Sequence, residues 1–154
     1  MYTAIREERQ DVKIRLGFVS NSSSSSFVVA FPRVPRSAKD VQEMVFGDEC
    51  CVYYNGSRLD AEQASHFLFS QMAAPATQEQ LIDAVDGDYY EDGVSWDTID
   101  NENKKRSNET IENFRRKHEG ILYTFEFADD NPEGRILEHG DVFHRLPHLR
   151  QSRH

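Results

Sequence analysis

Residues 27–31, FVVAF, are an unbroken apolar run in which all but Ala30 are aromatic or β-branched, with five serines before it and Pro32 after it. A run this short and this composed reads as a buried strand rather than a helix. Pro32 and Pro35 end it, because proline cannot donate to a sheet ladder. A buried strand needs strands beside it and a cover over it, so the rest of the chain is read for both. Residues 13–19, KIRLGFV, alternate and suit a neighbouring strand, with the serine segment as the loop between the two.

Downstream, Ser37 and Asp40 stand at capping-box spacing and open a helix over about 38–46, which buries Val41, Met44 and Val45 and stops at Gly47. Residues 50–54, CCVYY, read as a strand, and Asn55-Gly56 as its turn. A helix over about 61–72 puts Ala61, Ala64, Phe67, Leu68 and Met72 on one face. Thr77 and Gln80 form a second capping box, opening a short helix with Leu81, Ile82 and Val85 inward and Gly87 at its end. Residues 86–103 read as an acidic loop with aromatic islands. Ser107 starts a helix to His118 that carries Ile111, Phe114 and His118 on one side, with Glu112 and Arg116 spaced to pair. Residues 121–127, ILYTFEF, alternate as a strand; 129–134 make a turn, and 135–143, RILEHGDVF, return as a strand. The expected fold is one α+β domain, a mainly antiparallel sheet packed by three to four helices, with a polar lead-in at 1–12 and a basic tail at 144–154.

The 154 residues are 38% hydrophobic and 11% aromatic, enough for one core and against wholesale disorder. No apolar run is long enough to cross a bilayer, and the first residues carry no apolar signal segment, so neither a membrane partner nor secretion is expected. Cys50 and Cys51 are adjacent, and neighbours on a strand point to opposite faces, so a bridge between them would be strained. Reduced thiols in a cytoplasmic protein follow as the expectation.

Charge is unevenly placed. Residues 59–103 hold eleven Asp and Glu and no Lys or Arg, while the flanking segments each balance to +1, so the net charge of -9 arises in the middle. Such a block makes a strong local field and suits a partner with a basic surface. Asp88, Tyr89, Tyr90, Glu91, Asp92, Trp96 and Asp97 are the candidate contacts, with the aromatics as anchors. The acidic total makes nucleic acid an unlikely partner. The plainer reading of the same block is a solvated surface.

Ser22, Ser23, Ser24, Ser25 and Ser26 offer hydroxyls and successive amides that could cradle an anion, and Arg150, Arg153 and His154 of the acid-free tail could supply positive charge. The segment has neither Walker A spacing nor a nucleophile elbow. The plainer readings are a flexible loop, and a tail that neutralises part of the acidic block. Glu138, His139, Asp141, His144 and His148 are metal-ligand types, but their spacing matches no zinc signature and Pro147 interrupts them. No metal and no cofactor are therefore expected.

Residues 17–27, GFVSNSSSSSF, preceded by KIRL, resemble the opening of a family of small proteins of tailed bacteriophages and prophages. The family's closing pattern, an acidic turn, an E-x-G segment and a terminal R-x-S-x-H, resembles Asp129-Asp130, Glu138-His139-Gly140 and Arg150-Gln151-Ser152-Arg153-His154. The resemblance covers both ends of the chain and not its middle. It implies a phage origin, the cytoplasm of a bacterial host, and no particular mechanism. The leading expectation is a phage-type accessory protein that binds a host protein through the acidic, aromatic-bearing surface. The alternatives are a small enzyme or binder of a phosphorylated metabolite or nucleotide at the serine segment, and a virion component.

Overall fold

The computed structural model describes residues 24–86 and 96–153, with the side chains of 24–86 and 101–152. The strand expected at 13–19 lies outside them. The buried run extends backwards: β1 is Ser24–Phe31, the middle strand of a three-stranded antiparallel sheet. Its neighbours are β4 (Ile121–Ala128) and β5 (His148–Arg153). The serine segment is thus not wholly a loop, since its last three residues are strand. Pairing on both edges satisfies the backbone there and overrides the local preference of serine for turns.

Both faces of β1 are covered, which is why its sequence is a continuous apolar run and not an alternating one. Phe27, Val29 and Phe31 meet Tyr123, Phe125 and Phe127 of β4 on one face. That face is closed by α1 (Ala38–Val45), by the hairpin β2 (Cys51–Tyr54) and β3 (Ser57–Asp60), by α2 (Ala61–Ser70) and by α5 (Pro132–His139). Val28 and Ala30 point the other way, onto α3 (Gln78–Val85) and α4 (Trp96–Lys117), where they meet Leu81, Ile111 and Phe114. The α+β class stands as expected. Among the described residues there are five helices rather than three or four, and two antiparallel sheets. None of these helices is long and apolar enough to cross a membrane.

Local signals account for several elements. Asn55 and Gly56 both have positive φ, 51° and 81°, as the two-residue turn between β2 and β3 requires. The Thr77–Gln80 capping box is complete in both directions. At α1 only half of the expected box forms. Ser37 Oγ accepts from the Asp40 amide, but the Asp40 carboxylate turns to the Arg33 guanidinium and the Arg36 amide instead of the Ser37 amide. Those two contacts hold its carboxyl below the usual carboxylate range.

Several expectations need correction. Residues 96–103 belong to α4, not to a loop, and Ser107 lies buried inside that helix instead of starting it. The helix gathers acids near its start and Arg115, Arg116 and Lys117 in its last turn, an order that suits its dipole. Residues 132–139 are α5, not a returning strand: Asn131 accepts from the Gly134 amide as N-cap and Pro132 fills the first helical position. The basic tail is strand β5 through Arg153. Phe67, placed inward by periodicity, is 43% exposed, and Arg116 bonds Asn113.

Candidate functional site

The sheet register decides which candidate residues meet. Ser24, Ser25, Ser26 and Phe27 stand opposite Arg153, Ser152, Gln151 and Arg150. The described end of the serine segment, Ser24 to Ser26, therefore lies beside the tail strand. Alternation then separates the serines. Ser25 shares a face with Phe27, and Ser26 points to the opposite face.

On the Ser25 side a polar network is built into the edge of the aromatic core. Ser25 Oγ donates to Glu138 Oε2 at 2.9 Å. Arg150 donates to Ser25 Oγ from Nε at 3.3 Å and from Nη2 at 3.2 Å, and its guanidinium lies 5.6 Å from the Phe27 ring centre. Glu138 has no exposed side-chain surface, and its Oε1 is 3.2 Å from His139 Nε2. Asp129, at the end of β4, completes a set with Glu138 and His139: one ligand atom from each lies within 4.8 Å of the others. The His139 ring stacks on Tyr54, centroids 4.9 Å apart and planes 26° apart.

Each element places its residue for a local reason. α5 carries Glu138 and His139 in its last turn, and its Asn131 cap sets where the helix begins. β1 brings Ser25 under α5. The hairpin β2–β3 brings Tyr54 against His139. A carboxylate withdrawn from water must be compensated by donors or cations, and Ser25, oriented by Arg150, is one such donor. The anion that Ser25 serves is the chain's own Glu138.

On the opposite face Ser26 lines a cleft of about 430 Å³ with Gln71, Gln80, Asp83 and Glu126. Two carboxylates there make it a poor receptacle for an anion. Of the other candidates, Ser22, Ser23 and His154 lie outside the described residues, as do Asp88, Tyr89, Tyr90, Glu91 and Asp92. Trp96 and Asp97 begin α4.

The five metal-type residues near the C-terminus do not form one group. His144 pairs with Glu49 at 2.9 Å, His148 Nδ1 lies 2.9 Å from the Leu146 carbonyl oxygen, and Asp141 is exposed with φ 53°. Only Glu138 and His139 stay together, and the residue that joins them is Asp129, which the sequence places at the start of the 129–134 turn. Comparison with protein-family models, curated proteins and solved structures finds no match.

Proposed function

We propose that this protein is a binding module organised around a divalent-cation site made by Asp129, Glu138 and His139. The observation that carries this reading is the convergence of two carboxylates and one imidazole within 4.8 Å. Two oxygens and one nitrogen suit a cation of Mn²⁺ or Zn²⁺ type. The surroundings support the same role. Ser25 fixes the buried Glu138 and Tyr54 fixes the His139 ring, and such outer contacts orient metal ligands. Three protein ligands leave coordination positions for an oxygen of a partner or small molecule. A thermal melt tests this directly. Mn²⁺ at 100 times its dissociation constant stabilises the folded state by about 2.7 kcal/mol, and chelation with EDTA reverses the rise. Unchanged melting with Mn²⁺ would remove the reading.

A second reading rests on charge. The eleven acids of residues 59–103 stand without a basic residue among them. In the phage-type reading this block docks on a basic host protein, with Trp96 and Asp97 at the start of α4 contributing. Changing Asp88, Glu91, Asp92 and Asp97 to the amides then slows association at low salt and flattens its salt dependence, read by surface plasmon resonance against a captured partner. Equal rates at low and high salt would leave the block a solvated surface. A phosphorylated ligand at the serine segment has less support, because Ser25 already serves Glu138 and Asp83 and Glu126 face the cleft at Ser26.

A further inference from the structure

We propose that Cys50 and Cys51 form a chelating dithiol that captures a thiophilic ligand of the trivalent organoarsenical class. Cys50 precedes β2 and Cys51 is its first residue, so the alternation that would send strand neighbours to opposite faces does not apply to the pair. The two Sγ atoms turn toward each other and stand 2.6 Å apart, and both residues are free cysteines, one exposed and one half-buried.

Their backbone is held from both sides. The Ala61 amide donates to the Cys50 carbonyl at 2.9 Å, and Cys51 pairs with Asp60 across the hairpin. A chelator fixed in this way loses little freedom on binding. The Cys51 sulfur also contacts the Tyr53 hydroxyl at 3.2 Å. The contact with Cys50, then that with Tyr53, and the charge of Arg58 favour the Cys51 thiolate, whereas the same contact pushes the Cys50 thiol up.

The ligand class follows from the count of donors. Zinc in a structural site asks for four protein ligands at tetrahedral positions. His144 and Glu49 line the same cleft as Cys51 but bond each other. An arsenic(III) centre with one organic substituent needs two thiolates and nothing more. With an arylarsenic oxide, two S–H bonds and the As–O bonding are broken, two As–S bonds form, and the oxide leaves with both protons as water. No electron is transferred, so no oxidant or reductant is required.

The test uses phenylarsine oxide on the full, freshly reduced chain under argon. The expected result is a single adduct by intact mass, with both thiols lost to Ellman's reagent. The adduct survives excess mercaptoethanol and is released by ethanedithiol. Cys50→Ser and Cys51→Ser each weaken capture by about 10²–10⁴-fold, the advantage of a second tethered ligand. Both positions reach solvent, so neither change threatens the core. Two thiols still titratable after equimolar phenylarsine oxide would overturn the proposal, and so would a Cys50→Ser variant that binds as tightly as the parent.

Discussion

Replacing Phe143 by alanine is expected to remove about 3–5 kcal/mol of folding stability. The ring is 1% exposed and sits where three segments meet. Its centroid is 5.4 Å from Phe27 of β1, 5.0 Å from Phe125 and 6.2 Å from Phe127 of β4, and 6.2 Å from His148 of β5. Removing it opens a cavity that four neighbouring rings cannot close, because each is also held by the others. The loss is a large part of the 5–15 kcal/mol that typically separates folded from unfolded chains. A urea titration reads it as a lower midpoint with the slope retained. A midpoint within error of the parent would show that the segment after α5 is not seated on the sheet as described.

Alanine at Gly134 is expected to cost about 2 kcal/mol or more, although alanine is ordinarily the better helix former. A Cβ there would come within 2.0 Å of the Ala128 carbonyl oxygen and 3.2 Å of Asn131 Oδ1. The first neighbour is backbone at the end of β4 and cannot swing away. Helix propensity returns about 1 kcal/mol for Gly→Ala, and overpacking costs about 1–3 kcal/mol, at times more. The clash therefore decides the sign. The strain has one outlet, a displacement of α5, and that would pull Glu138 from Ser25. Loss of stability together with loss of Mn²⁺ binding is the expected pair of readouts. A Gly134→Ala chain as stable as the parent would mean that α5 does not pack this closely on β4.

The elements that could be read from sequence are those whose cause is local. The Asn55-Gly56 turn and the Thr77–Gln80 box are complete within two and four residues, so no distant contact decides them. The start of α5 was also local, in Asn131 and Pro132, but the same residues read equally well as a turn. Residues 135–143 read as a returning strand because they follow a turn, although their apolar residues come in adjacent pairs, Ile136-Leu137 and Val142-Phe143, and do not alternate. In fact Ile136 and Leu137 face the core from a helix. The start of α4 was hidden by its acids, which a pattern of apolar spacing passes over although they favour a helix N-terminus.

The candidate site was legible only in part. The resemblance drew attention to the serine segment and to Glu138-His139 together, and β1 does run beside β5. The contact that orients Glu138 in the cluster joins it to Ser25 across 113 residues, and no periodicity encodes such a pairing. Asp129 falls in the acidic turn Asp129-Asp130 that the resemblance includes, but turn chemistry explains both aspartates and singles out neither as a ligand.

The claim that Asp129, Glu138 and His139 hold a divalent cation is tested most directly by Mn²⁺ binding followed by electron paramagnetic resonance of the free ion. Mn²⁺ is a hard ion that avoids thiols, so Cys50 and Cys51 do not compete. Asp129→Asn and His139→Ala change half-buried positions at the cluster while leaving the buried Glu138 and its Ser25 contact in place. One Mn²⁺ is expected to bind per parent chain, with binding about 10-fold or more weaker in each variant and a loss of about 10–100-fold in Ser25→Ala, whose hydroxyl only orients the ligand. A parent chain that leaves all Mn²⁺ free, or one whose affinity is unchanged by Asp129→Asn and His139→Ala, would contradict it.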